Sequence, residues 1–378
     1  MESRFKKSFK KYCECTSIHG VQYLGEQGLP LKERACWIFT LSITFLINAY
    51  LIGNELLKWK NSQVIISNNH TFTPNWEIPF PVVTICSENK YNKNLSSIFT
   101  KSESEVDPDR DLLEIIEAAM ITNQEWDIKP IPGFRNSSFL KRMKMVAPSA
   151  PSVIKGCLWQ GYGFKYCSDD QFKPVFTQEG LCYTFNSLEP EKIFNSNVQR
   201  QDLDVTFNKS YWTLEGGYIS SEFAQSYPYR GGSIIEILLA GYSYPIDNYT
   251  RNPYQGFLVL LNNPAEVTQS MDNFIAIPPN SDVIVSIKPQ KMDASSNLQR
   301  KYSPEQRRCY FPSERQLAYF TSYVQRNCKV ECLTNYTLEE CGCVRYYMPH
   351  TPGTKICDLS RQGCVIAAAE ALTLGLIT

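Results

Sequence analysis

The sequence predicts an α+β membrane protein: one transmembrane helix followed by a large, disulfide-rich ectodomain. Three observations carry this. Ala35 to Leu57 reads ACWIFTLSITFLINAYLIGNELL, and no residue from Ala35 through Ile52 is charged. A helix of about 20 apolar residues spans a bilayer core, so this segment with its flanks is long enough. Second, N-x-S/T sequons occur at Asn69, Asn94, Asn136, Asn208, Asn248 and Asn335, all after that segment. Third, eleven of the 14 Cys also follow it, seven of them between Cys309 and Cys364. Sequons and a dense Cys framework on one side point to an oxidising, glycosylating compartment.

Charge sets the orientation. Arg4, Lys6, Lys7, Lys10, Lys11, Lys32 and Arg34 precede the span, against four acids. The positive-inside rule puts residues 1–34 in the cytoplasm. A cleaved signal peptide fits poorly, because 34 residues precede the apolar run and no A-x-A-like site follows it. Glu55 falls at the outer end, where snorkelling at the interface accounts for it.

Composition excludes several function classes. The 378 residues suggest two or three domain-sized pieces. Lys plus Arg equals Asp plus Glu at 38 each, so the basic excess of a nucleic-acid binder is missing. Only His19, His70 and His350 are present, which leaves little for His-based catalysis or a multi-His metal site. The spacings Cys328-x3-Cys332 and Cys341-x-Cys343 are not zinc knuckles. There is no G-x-S-x-G, HExxH, Walker or dinucleotide fingerprint. Gly161-Tyr162-Gly163 reads as a loop. No enzyme and no cofactor is expected.

The elements follow in order. Pro79 and Pro81 mark the start of a β-branched run, Val82 to Cys86, read as a strand. Asp111 to Trp126 carries Leu112, Ile115, Ile116, Ala119 and Met120 at helical spacing. Cys182 to Asn186 follows Gly180 as a short strand. Ser233 to Leu239 reads equally as strand or helix. Gly256 to Leu261 is a buried strand stopped by Asn263-Pro264, and Asp282 to Lys288 alternates as another. Further on, Ser313 and Gln316 form a capping-box pattern. Leu317, Phe320, Val324, Cys328 and Cys332 continue it as one apolar helical stripe. Thr337 and Glu340 give a second capping signal before Cys341-Gly342-Cys343. Two Cys-stapled helices beside a β-rich body result.

Several of these blocks, taken in order, resemble the degenerin/epithelial sodium channel superfamily, and within it the insect pickpocket branch. They are Thr16-Ser17-Ile18-His19-Gly20-Val21-Gln22-Tyr23-Leu24-Gly25 before the span, then Phe80-Pro81-Val82-Val83-Thr84-Ile85-Cys86. Gly180-Leu181-Cys182-Tyr183-Thr184-Phe185-Asn186 follows, then Gly256 to Pro264 with Ile277-Pro278-Pro279. The last is Arg308-Cys309-Tyr310-Phe311 through Glu331-Cys332 to Cys341-Gly342-Cys343.

The resemblance implies a subunit of a sodium-selective, amiloride-sensitive, stimulus-gated channel in the plasma membrane. It implies a homo- or hetero-trimer in contact with membrane lipid and conducting sodium ions, with no nucleic acid involved. Residues 1–34 would be the cytoplasmic tail and 35–57 the first span. Residues 58–308 would form palm, β-ball and finger, 309–364 an incomplete helical thumb, and 365–378 an atypical tail. His19-Gly20 would act in gating, although a plain turn needs the same glycine freedom. The implied disulfides are Cys86–Cys182, Cys157–Cys167, Cys341–Cys364 and Cys343–Cys357.

The resemblance also implies more chain. Cys309, Cys328 and Cys332 would pair with later cysteines, and this sequence has none after Cys364. The second span, with the pore and its Gly-x-Ser filter, would follow as well. The final VIAAAEALTLGLIT is too short to span and is interrupted by Glu370. On sequence the chain therefore reads as truncated. Its alternative role is a non-conducting, single-span regulator of full-length subunits.

Overall fold

The computed structural model describes residues 4–61, 78–90, 140–164, 171–199, 211–220, 235–240, 256–268 and 274–373, apart from 27, 141, 142, 146, 160, 161, 214–216, 291, 293, 295 and 358. The helix expected at 111–126, Cys167, and the sequons at Asn69, Asn94, Asn136, Asn208 and Asn248 lie outside these residues. The chain forms two compact units. One is Met1–His70 with Ala294–Cys309; the other is Thr71–Asp293 with Tyr310–Thr378.

The first unit holds α1 (Arg4–Cys15), α2 (Gln22–Gly25) and α3 (Leu31–Asn61). Among the described residues, α3 alone is long and apolar enough to cross a membrane. At 1.5 Å per residue its 31 residues reach about 46 Å, more than the hydrocarbon core needs. Its polar side chains turn back on the helix. Thr40 Oγ1 donates to the Cys36 carbonyl at 2.9 Å, Ser42 Oγ to Ile38 at 2.8 Å and Asn48 Nδ2 to Thr44 at 2.8 Å. In an apolar surround these bonds satisfy donors that water would otherwise take. Glu55 pairs with Lys58 at 3.3 Å near the far end, both side chains exposed.

The second unit is built on an antiparallel five-stranded sheet. Its strands are β1 (Val82–Ser87), β4 (Lys173–Thr177), β5 (Gly180–Phe185), β9 (Phe257–Asn262) and β10 (Phe274–Ile277), in the spatial order β10-β9-β1-β5-β4. β1 is central and buried on both faces. Alternation sorts its side chains. Val83 and Ile85 join Tyr183, Phe185, Phe257 and Val259 in the main core. Cys86, Cys182, Leu258 and Leu260 cluster on the other face. There Thr84 and Thr184 pair hydroxyls at 3.1 Å, and Asn262 Nδ2 donates to Thr268 Oγ1 at 2.8 Å. Pro174 is confined to β4, an edge strand, where its missing N–H costs nothing.

A second sheet covers the main core. It consists of β2 (Ile154–Trp159), β3 (Tyr162–Phe164) and β8 (Ile235–Leu239) in the order β3-β2-β8. Trp159 packs edge-on against Phe80 at 4.9 Å and tilted on Phe185 at 5.2 Å. The segment 235–239, ambiguous in sequence, is a strand because it pairs with β2 across the core. Of Gly161-Tyr162-Gly163, read as a loop, Gly161 lies outside the described residues, while Tyr162 and Gly163 belong to β3 for the same reason. A small hairpin of β6 (Tyr211–Thr213) and β7 (Gly217–Ser220) completes the described strands.

Asp282–Lys288 does not form the expected strand. Alternation supplies two faces, but a ladder needs a partner, and none pairs with it among the described residues. Ile287 packs on the core, whereas Ile284 is 97% exposed.

The late helices also differ from expectation. Ser313–Val324 is a chain of turns, and the helix α4 runs from Gln325 to Cys341. Glu314 Oε2 accepts from the Phe311 N–H at 2.8 Å, and Phe320 bridges to Phe194 in another segment. These contacts hold the backbone out of helix, although Leu317 and Phe320 are buried as the stripe requires. The S-x-x-Q pattern caps elsewhere: Ser303 and Gln306 form a true capping box. Thr337, read as a cap, lies buried within α4. The helix ends on Gly342 at φ 70°, whose N–H bonds the Leu338 carbonyl at 3.0 Å. The second stapled helix, α5, is Gln362–Thr373. Val365 and Ala368 on it are buried, so the tail predicted to begin at 365 continues a packed element.

Candidate functional site

Two places bring together residues that could transmit motion, one in each unit. The first is the segment before α3. Gly20 is buried at φ +87°, and a Cβ there would lie 3.1 Å from the Trp37 ring. Tyr23 stacks on the same ring at 4.4 Å, and Arg34 Nη2 donates to the Glu26 carbonyl at 2.8 Å. The turn that carries His19 and Gly20 is therefore seated on the first turns of α3. His19 itself is exposed.

The second place is the seam between the five-stranded sheet and α4. Asn327, buried in the first turn of α4, grips the chain just beyond β9. Its Oδ1 accepts from the Val267 N–H at 3.0 Å, and its Nδ2 donates to the Ala265 carbonyl at 2.8 Å. One amide thus satisfies two buried backbone groups that would otherwise lack partners. Beside it Arg326 meets Glu266 at 3.4 Å. Glu331, one turn on, accepts the Ala318 N–H at 3.0 Å and the Tyr319 N–H at 2.9 Å. Asn195 Nδ2 donates to the Leu317 and Ala318 carbonyls at 2.9 and 3.0 Å, and Thr321 Oγ1 to the Lys192 carbonyl. Val198, Val267, Leu317, Tyr319 and Phe320 form the apolar core of this seam.

Sulfur chemistry borders the seam. The structure joins Cys86 to Cys182 with Cα atoms 4.5 Å apart, the spacing of facing residues in an antiparallel pair. Cys341 is joined to Cys364 and Cys343 to Cys357, with Cα separations of 5.9 and 5.0 Å. Cys157 is also disulfide-bonded. Cys309, Cys328 and Cys332 carry no disulfide. Burial, and then the neighbouring Cys328, push the Cys332 thiol above its ordinary value, with Arg315 opposing them. Burial and Glu331 raise Tyr319 in the same way. Arg315 lies over the Tyr310 ring, 5.1 Å from its centroid. Asn335 is exposed on α4.

Sequence reasoning missed Asn327 and the seating of Gly20 on Trp37. It also missed a buried charge cluster, in which Lys90 Nζ lies 3.4 Å from Glu179 and 3.9 Å from Glu88. Asn327 and the Lys90–Glu179 pair have no periodic or motif signal, since each depends on a partner 60 or more residues away. Among the described residues no group of three His, Cys, Asp or Glu could hold a metal.

Comparison with known proteins places this geometry. The profile of the amiloride-sensitive sodium channel family matches residues 12–374. Pickpocket protein 28 of Drosophila melanogaster is 26% identical over 369 residues, covering 95% of this chain and 59% of its own length. Pickpocket protein 11 of the same fly is 27% identical over 362 residues, covering 96% of this chain and 55% of its own. Sodium channel protein Nach from that fly is 21% identical over 391 residues, covering 96% and 67%. The chain thus spans little more than half the length of the two pickpocket relatives. The family consists of membrane-bound ion channels, not enzymes. With the match running from the segment before α3 through both disulfides of the helical region, the chain belongs to the amiloride-sensitive sodium channel family and stands with its insect pickpocket branch.

Proposed function

We propose that the chain is a subunit of a sodium-selective, amiloride-sensitive, stimulus-gated channel of the plasma membrane. The family match over residues 12–374 carries this reading. Residues 1–34 lie in the cytoplasm, 35–57 form the first span, and the disulfide-bonded body faces outward. The subunit assembles as a homo- or hetero-trimer with family members, in contact with lipid. The five-stranded sheet serves as the palm and the α4–α5 region as the thumb. Cys157 pairs with Cys167, and the six sequon Asn residues, Asn335 on α4 included, carry glycans.

The geometry supports a mechanism. A stimulus that displaces α4 pulls on the Asn327 clamp and so on the end of β9. β9 lies directly against β1, the first described strand after α3. Motion of the outer region therefore reaches the strand that follows the membrane helix. On the other side, Gly20 and Tyr23 seat the pre-span turn on Trp37, which makes His19-Gly20 sensitive to any rotation of α3.

The test is co-expression in oocytes with a full-length pickpocket-type subunit. The chain is expected to co-purify with that subunit and to change an amiloride-blocked inward current that disappears when sodium is replaced by a large organic cation. Failure to co-purify, with the current unchanged, would overturn the reading.

A further inference from the structure

We infer that Asp282–Lys288 is an open strand that pairs antiparallel with the same segment of a second copy of the chain. The inference stands on the second unit alone and does not depend on ion conduction.

The segment is patterned as a strand and left without a ladder. The turn before it is fixed: Asn280 sits at φ 53°, and Ser281 Oγ donates to the Pro278 carbonyl at 2.7 Å. Pro279 and Pro289 flank it, and proline confines any ladder to the stretch between them. Residues 282–288 make no backbone hydrogen bond to other described residues. Exposure nonetheless alternates. Ile287 leans on the main core, Val283 and Val285 on the same side are 42% and 39% exposed, and Ile284 on the opposite side is 97% exposed. Open N–H and C=O groups beside exposed β-branched side chains form a template for another strand.

The sequence selects the occupant, because DVIVSIK is complementary to its own reverse. With Val285 facing Val285 of the copy, Asp282 faces Lys288, Val283 faces Ile287 and Ile284 faces Ser286. Opposite charges then meet at both ends, and one face is wholly Val and Ile. The two Ile284 side chains become diagonal neighbours. A parallel pair would oppose like charges at both ends. A slip of one residue would put Lys288 opposite Val283 and Asp282 opposite Pro289, so the register is specified. Such a two-fold contact cannot be one of the head-to-tail contacts of a three-membered ring. In a trimer it therefore joins copies in separate assemblies.

The experiment uses the full chain in cell membranes, in a Cys309→Ser background that removes an exposed thiol. Single cysteines are placed in the segment and mildly oxidised, and the covalent dimer is read on non-reducing gels. Facing residues of an antiparallel pair have Cα atoms about 4.5–5.5 Å apart, within disulfide reach. Val285→Cys should therefore cross-link about tenfold more than Val283→Cys, which lies about 13 Å along the strands from its own copy. The side chains exchanged are all exposed, so the fold is spared. Adding Asp282→Lys should abolish the Val285→Cys dimer, as should adding Lys288→Asp, and mixing these two chains should restore it. Equal cross-linking at 283 and 285, or charge changes without effect, would overturn the inference. Loss of the dimer on co-expression of a full-length pickpocket-type subunit would overturn it as well and assign the open strand to that subunit.

Discussion

The sheet and the α4–α5 region are neighbours in one unit, yet they are held by different physics. The sheet is held by repetition. β1, β5 and β9 each send alternate side chains into one of two apolar clusters, so no single contact decides the arrangement. The helical region is held by individual clamps: Asn327 on the β9 end, Glu331 on two N–H groups, Asn195 on two carbonyls, and two disulfides. Distributed packing tolerates single losses. A clamp either holds or fails.

That contrast can be broken at points where the sheet itself depends on one feature. The largest effect is expected from Cys86→Ser with Cys182→Ser. This disulfide closes a separation of 96 residues, and its loss should cost about 4–5 kcal/mol in the chain-entropy model. The urea midpoint of the sheet, followed by protease resistance, should fall steeply. A small fall would mean that packing alone suffices.

Next is Gly256→Ala. Gly256 sits at φ +115°, and a Cβ there would lie 2.0 Å from the Ile277 carbonyl oxygen. Backbone cannot give way as a side-chain tip can, so the start of β9 must part from β10. A loss of about 3 kcal/mol is expected, read as the same midpoint shift.

Asn327→Ala sharpens the comparison from the other side. It leaves the Val267 N–H and Ala265 carbonyl buried without that partner, at about 2 kcal/mol. The loss should show as faster hydrogen exchange in 263–268 and the first turn of α4, with β1 and β5 unchanged. Equal acceleration throughout the sheet would erase the distinction between clamp and packing.

The smallest effect is chemical. Because burial raises the Cys332 thiol, it holds less thiolate at pH 8 than an ordinary cysteine. Iodoacetamide should label it more slowly than the exposed Cys309. The gap should narrow as pH rises through the displaced range and vanish in urea. Equal rates in the folded chain would show that α4 does not shield its own cysteines.

The same contrast explains what could be read in advance. β1, β5 and β9 were legible because β-branched and aromatic runs bounded by Gly and Pro have one physical reading. β4 was not, because Pro174 masks a strand that is acceptable only at an edge. Residues 313–324 were misread as helix because Leu317, Phe320, Val324 and Cys328 fit the stripe. The contacts that override it come from Glu331, Asn195 and Phe194, which are distant in sequence. At the candidate site, His19 and Gly20 were visible as residues. Trp37 and Asn327 acquire their roles only when the chain is folded around them.

The disulfides of the helical region are concentric rather than crossed. The bond from Cys343 to Cys357 lies wholly inside the interval closed by Cys341 and Cys364. Four cysteines can pair in three ways, and the concentric one needs no strand to thread another. It also favours an order. Once the inner bond has formed, the path between Cys341 and Cys364 shrinks from 23 residues to two on one side and seven on the other. The outer closure then becomes about 0.8 kcal/mol easier, since loop entropy grows with the logarithm of length. Oxidation of this region therefore works like a zip: the inner tooth sets the outer one, and either bond left intact guides the other back into place.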